Sequence, residues 1–155
     1  MLLELTDEVM TRKLGKALAR CCPQSPFLVT LTGNLGAGKS HLVRAFLKKL
    51  GVTDTIPSPT YTLSETYPIN QKLTVSHIDL YRLEDPQELE LIGFRDMLND
   101  QGLLIEWPER AGSLLPTPDL DVHLIWHDEG RMCAVSAKSK KGERWLSALK
   151  VPQPE

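Results

Sequence analysis

Apolar side chains at Val9, Met10, Leu14, Ala17 and Leu18 recur at helical spacing and predict an amphipathic helix over residues 7–20. Asp7 and Glu8 fall in its first turn and Lys16 and Arg20 near its end, in accord with the helix dipole; Cys21-Cys22-Pro23 stops it. Phe27-Leu28-Val29-Thr30-Leu31 is short and almost wholly apolar, the pattern of a strand covered on both faces. A second helical stripe, Leu42, Val43, Phe46, Leu47 and Leu50, runs from Lys39 to Leu50 and is ended by Gly51.

Pro57 and Pro59 hold the next segment extended, as an ordered loop rich in hydroxyls from Ser58, Thr60, Tyr61 and Thr62. Strands are predicted over Tyr61–Tyr67 and Leu73–Leu80, with a turn at Asn70-Gln71 between them. Asp85-Pro86 opens a helix with proline at its first position. Leu103-Leu104-Ile105 is a third buried strand, closed by Trp107-Pro108. Asp121–Trp126 and Arg131–Ala137 alternate as a hairpin turning at Asp128-Glu129-Gly130, and a short helix over Gly142–Leu149 completes the chain. Neither repeats nor low-complexity linkers interrupt this order, which predicts one α/β domain over residues 1–155.

Composition narrows the picture. With 155 residues and 41% hydrophobic content the chain can bury one real core, which excludes disordered and fibrous classes. A net charge of −2 supplies no global positive field for nucleic acid. The charge is uneven, since Arg131, Lys138, Lys140, Lys141, Arg144 and Lys150 face the single acid Glu143 between residues 131 and 150. Such a run reads first as a solvated face and second as a docking patch for RNA or an acidic partner. Cys21, Cys22 and Cys133 suit neither a disulfide framework nor a metal knuckle and predict a reducing compartment. No apolar run approaches 18 residues and no leader pattern opens the chain, so a soluble cytoplasmic protein with no membrane partner is expected.

Residues 33–40, Gly33-Asn34-Leu35-Gly36-Ala37-Gly38-Lys39-Ser40, change the picture most. They spell a complete phosphate-binding loop, and strand, glycine loop and helix follow one another as that motif requires. Glycines admit backbone angles closed to other residues and let successive N–H groups form an anion nest, to which the following helix dipole adds. Lys39 can reach the β- and γ-phosphates, and the Ser40 hydroxyl can coordinate Mg²⁺. Asp79 and Glu106 each end a buried strand, where ligands gather in open α/β sheets. One could hold the metal and the other polarise an attacking water. Thr60 is the candidate switch hydroxyl, and Trp107 either stacks on a partner or caps the core. His123 and His127 lie on a strand at a spacing that does not converge on a metal, His41 flanks the loop in an exposed position, and His77 reads as a packed strand residue. An Asn-Lys-x-Asp guanine reader is absent; Ser136-Ala137-Lys138 alone is too short to replace it, which favours ATP.

In five blocks the chain resembles the bacterial TsaE (YjeE) ATPases. These are the loop at 33–40, Ile56-Pro57-Ser58-Pro59-Thr60-Tyr61, His77-Ile78-Asp79-Leu80-Tyr81-Arg82-Leu83, Glu90-Leu91 with Gly93-Phe94, and Ile105-Glu106-Trp107-Pro108-Glu109-Arg110. A preceding helix carries Thr11 and Gly15, and the likeness spans roughly residues 5–126. The resemblance implies a single P-loop NTPase domain whose mixed parallel and antiparallel sheet is flanked by helices, binding ATP and Mg²⁺. It assigns residues 33–40 with the flanking His41, and Thr11, to the nucleotide. Ser40, Asp79 and Glu106 go to the metal, and Lys39, Thr60 and Glu106 to catalysis. It further implies weak ATP hydrolysis that cycles a complex with the TsaB–TsaD heterodimer, whose TsaD transfers threonylcarbamoyl to adenosine in tRNA. The tRNA is then reached through the complex. A small-molecule kinase is the alternative; against it, Arg82, Arg95, Arg110 and Arg131 are scattered along the chain and suggest no arginine-bearing lid.

Overall fold

The run Phe27–Leu31 has apolar side chains on both pleats because both faces are covered. In the computed structural model, which describes residues 1–154, strand β2 (Phe27–Gly33) lies at the centre of a sheet. The last residue of the expected domain, Glu155, lies outside the described residues. Among these residues the other strands are β1 (Leu2–Leu5), β3 (Ser64–Pro68), β4 (Thr74–Asp79), β5 (Gly102–Glu106), β6 (Leu120–His127) and β7 (Gly130–Ala137). The helices are α1 (Glu8–Arg20), α2 (Lys39–Lys49), α3 (Phe94–Asp100) and α4 (Lys140–Ala148), with 3₁₀ segments at Pro86–Ile92 and Pro108–Leu114.

The sheet order is β1-β7-β6-β2-β5-β4-β3. Strands β4, β5, β2 and β6 run parallel, while β3, β7 and β1 each pair antiparallel with their neighbour. The mixed sheet flanked by helices is therefore present. Phe27, Val29 and Leu31 of β2 face α1, α2 and α4, together with Leu104 of β5 and Val75 of β4. Leu28, Leu103, Ile105 and Ile78 face the opposite way, onto α3 and both 3₁₀ segments. On the first face Trp145 of α4 stacks edge-on to Phe27 at 4.9 Å and donates its indole N–H to the Leu18 carbonyl at 3.0 Å. That bond removes the cost of burying an indole donor.

Several elements depart from the sequence expectations, each for a local reason. Residues 61–63 are a turn and not the start of β3, because Leu63 adopts φ 70° and its N–H donates to the Pro59 carbonyl at 2.8 Å. Asp85 caps and Pro86 opens a helical segment as expected, but it is 3₁₀ and stops at Gly93, where α3 begins anew. Helix α4 begins at Lys140, earlier than expected, because the Ser139 hydroxyl accepts the Gly142 N–H at 2.9 Å. Strand β1, α3 and the Pro108–Leu114 segment carry no periodic signal long enough to read; β1 exists because β7 offers an edge, with Leu3 opposite Cys133. All three cysteines are free thiols. Among the described residues no helix is long and apolar enough to cross a membrane.

Helices α1 and α2 meet at Gly15. A Cβ there would collide with the Leu42 carbonyl oxygen and lie 3.1 Å from the Ala45 Cβ. Backbone is the obstacle, so no rotamer change relieves it. Gly15→Ala should therefore lower stability by about 1–3 kcal/mol from overpacking, although alanine gains about 1 kcal/mol in helix propensity. A urea midpoint equal to or above that of the native protein would refute the close-approach argument.

Candidate functional site

Parallel register assembles the site. Asp79 of β4 pairs with Glu106 of β5, and Glu106 pairs with Leu31 of β2, so three neighbouring strands end in line. The phosphate-type loop leaves β2 at that edge and returns as α2. Gly33, Gly36 and Gly38 take φ 138°, 78° and 107°, the left-handed values such a loop needs. Helix α2 starts at Gly38 with no side-chain cap and no acid in its first turn, leaving its leading N–H groups and positive dipole end directed at the cleft.

The cleft, about 400 Å³, is lined by Lys39, Ser40, Thr60, Asp79, Glu106 and Trp107 among others. Lys39 is 4% exposed. Its ammonium donates to the Gly33 carbonyl and, at 3.0 Å, to that of Asn34, and lies 4.2 Å from the centre of the Trp107 ring. Burial lowers its pKa below 10.5, a shift that Glu106, Asp79 and Glu109 oppose. The Ser40 hydroxyl donates to Glu106 at 3.1 and 3.2 Å, one proton shared between two oxygens. Asp79 accepts the Thr60 hydroxyl at 3.0 Å and the Tyr81 N–H at 2.9 Å. Thr60 is in turn 2.8 Å from the Ser58 hydroxyl, so the Pro57–Pro59 loop is tied to a strand-end carboxylate.

Trp107 packs partly on the second core and partly against Lys39 and Tyr81, from φ 59° immediately after Glu106. A bulky residue in that region costs of order 1–3 kcal/mol, and such outliers concentrate at working sites. Leu35, Gly36, Gly38 and His41 also line the cleft, whereas Gly33, Asn34, Ala37 and Thr11 do not. Gly33 and Asn34 act through their carbonyls on Lys39, and Ala37 is wholly buried. Thr11 is likewise buried: its hydroxyl is 3.3 Å from the Asp7 carbonyl, and its methyl lies 3.5 Å from where a Gly38 Cβ would stand. His41 is half-exposed, 3.7 Å from Glu8.

Two side chains join the site that sequence reasoning did not assign to it. Arg131 of β7 is 7% exposed, with its Nε 3.2 Å from the Gly38 Cβ position and without a hydrogen-bond partner. Its guanidinium rests 4.5 Å from the Trp126 ring centre. A buried guanidinium with an unused donor against the loop suits an anionic ligand. In sequence it stood in the basic run; only the return of β7 beside β6 brings it to the loop. His77 is packed in a strand as expected, yet its Nε2 lies 2.6 Å from Glu106 Oε2. Of the scattered arginines, Arg82 lines the cleft and Arg131 lies against Gly38, while Arg44, outside that set, also lines the cleft. Arg95 instead lies 3.5 Å from Glu90 on the surface.

Among the described residues no group of three His, Cys, Asp or Glu side chains could hold a metal by itself. His123 faces the Thr32 hydroxyl at 2.7 Å and His127 lies beside Asp128. The Ser40 hydroxyl and the Asp79 and Glu106 carboxylates in the cleft form a hard-oxygen donor set. That fits Mg²⁺, which is usually held by one or two carboxylates together with ligand phosphates rather than by an all-protein cage.

The chain is similar to known proteins. The profile of the family described as threonylcarbamoyl adenosine biosynthesis protein TsaE matches residues 5–133. A tRNA threonylcarbamoyladenosine biosynthesis protein TsaE of Haemophilus influenzae is 39% identical over 139 residues, covering 89% of this chain and 87% of the relative. One of Rickettsia felis is 39% identical over 142 residues, 90% of this chain and 82% of the relative. The crystal structure of Bacillus subtilis YdiB superposes with a TM-score of 0.78 at 24% identity, over 95% of this chain and 91% of that one, which establishes a shared fold.

The buried ammonium sets a pH prediction. Because the folded state lowers the Lys39 pKa, the unfolded chain binds more protons between that lowered value and 10.5, and stability gains with pH there. Lys39→Met lacks this gain. Its stability relative to the native protein should therefore fall as pH rises from neutrality towards 10.5. Urea midpoints that stay parallel across that range would contradict the burial penalty.

Proposed function

The chain belongs to the TsaE family, and we propose that it binds and hydrolyses ATP in the N6-threonylcarbamoyladenosine modification of tRNA. The single observation that carries this reading is the meeting of Lys39, Ser40, Thr60, Asp79 and Glu106 in one cleft, from two strand ends, one helix start and one loop. Phosphates lie in the loop 33–40 against the start of α2, with Lys39 exchanging its carbonyl contacts for the phosphate charge. Arg131 and Thr11 pack against Gly38 of the loop and support it for the nucleotide, and His41 lines the cleft.

Ser40, Asp79 and Glu106 hold Mg²⁺, which when bound supplies neutralising charge for the phosphates. Glu106, 2% exposed, takes up a proton from the attacking water. Thr60, tied to Asp79, links the state of that carboxylate to the Pro57–Pro59 loop, and the loop carries the exposed Tyr61. An exposed loop wired to the metal site is a means by which a partner could govern turnover. That partner is the TsaB–TsaD heterodimer in the cytoplasm; tRNA is reached through it.

Arg44 and Arg82 at the cleft favour one second reading, a small-molecule kinase. Labelled phosphate transferred to a metabolite would support the kinase, and free phosphate released only with TsaB–TsaD supports the first reading.

Two variants test the roles. Lys39→Ala should weaken ATP binding by roughly 30-fold or more, the consequence of removing one partner of a buried charge pair. A fluorescent-nucleotide titration giving native affinity would end the phosphate-loop assignment. Glu106→Ala should keep nucleotide binding and lose about 10²–10⁴ in partner-stimulated turnover. Native phosphate release from that variant would exclude Glu106 as the base.

A further inference from the structure

His77 is 1% exposed, and its side chain makes one polar contact, Nε2 to Glu106 Oε2 at 2.6 Å. Its Nδ1 is buried without a partner. A buried orphan N–H is costlier than a buried bare nitrogen lone pair, so the proton belongs on Nε2 and is donated to the carboxylate. Along β4, Val75, His77 and Asp79 share one face, and the register sets them beside Leu104 and Glu106 of β5 under the start of α2. Glu106 therefore has two side-chain donors of unlike kind. Ser40 belongs to the ligand-binding loop and divides one proton between both oxygens at 3.1 and 3.2 Å. His77 stands on an interior strand, β4, and makes the shorter bond to one oxygen only.

We propose that His77 is the positioning residue of the site. Its Nε2–H pins Oε2, fixes the Glu106 rotamer from the sheet side, and leaves Oε1 as the edge that meets water. The Ser40 hydroxyl turns its oxygen towards a metal when ligand binds, so its hold on Glu106 changes with ligand state; the hold from His77 does not. This inference rests on the proposed catalytic role of Glu106 and deepens it. His77 does not touch the phosphates: its effect falls on turnover and not on metal-free nucleotide affinity.

The test compares His77→Leu, His77→Gln, His77→Asn and Glu106→Gln in the full chain, with TsaB–TsaD present for turnover. Glutamine can set its amide N–H where Nε2 stands; leucine fills space without a donor, and asparagine is too short to reach. His77→Leu and His77→Asn should lose about 10–100-fold in turnover, the usual cost of removing a group that orients a metal-site ligand. Their nucleotide affinity without Mg²⁺ should stay within about threefold of native, and His77→Gln should recover most of the turnover. In the native protein ¹⁵N-histidine NMR should show the His77 proton on Nε2.

Normal turnover in His77→Asn, equal impairment in the glutamine and asparagine variants, or a proton on Nδ1 would each overturn the proposal. Should His77→Leu not fold, the glutamine and asparagine pair decides. Glu106→Gln keeps the two readings apart: if it turns over normally, the role of Glu106 fails, whereas a dead Glu106→Gln beside a normal His77→Asn sinks the positioning role alone.

Discussion

The parallel register that aligns Leu31, Glu106 and Asp79 is the constraint on which the rest of the site depends. Neighbouring strands lie about 4.8 Å apart, so two carboxylates at paired positions are brought close whatever their distance along the chain. The loop begins two residues beyond Leu31, which sets Lys39 and Ser40 above that pair. A slip of one residue in β5 would turn Glu106 to the opposite face and give Ser40 and His77 no partner. Both faces of β2 and β5 are packed, by α1 and α2 on one side and by α3 on the other, so that slip would also disturb two filled cores at once.

Around this register the protein buries groups that a simple core would exclude. Lys39, Asp79, Glu106 and Arg131 are all at most 7% exposed. Each burial is offset by local partners: carbonyls and an indole face for Lys39, a hydroxyl and an imidazole for Glu106, a hydroxyl and an N–H for Asp79. Arg131 has an aromatic face but an unused Nε. Trp107 adds a left-handed backbone at the same place. The buried Lys39 ammonium, its pKa lowered by burial, and the uncapped start of α2 meet at one cleft, with the unused Arg131 Nε close to Gly38; an anion there would relieve the burial of Lys39.

Much of this was legible in the chain. The stripes of α1 and α2, the doubly apolar β2 and the β6–β7 hairpin follow from local periodicity, and the motif at 33–40 is contiguous, so its chemistry needs no long-range information. Asp79 and Glu106 could be nominated because each falls at the end of a predicted strand. Other features left no such trace. Strand β1 is four residues long and half exposed, too short for a period, and depends on the edge of β7. The turn at 61–63 hides within residues that favour strands, because a carbonyl of the loop takes the Leu63 N–H.

Chemistry that runs consecutively is therefore specified locally: an α/β order, a phosphate-type loop on a strand–helix junction, and two acids at strand ends. Only the tertiary structure decided which distant groups those residues meet. His77 reads locally as a packed strand residue, and Arg131 as one member of a basic run. Strand pairing alone turns the first onto Glu106, 29 residues away, and sets the second against Gly38. The physical reason is that burial and periodicity are encoded over a few residues, whereas hydrogen-bond partners across a sheet are fixed by register, which is a property of the whole packed core.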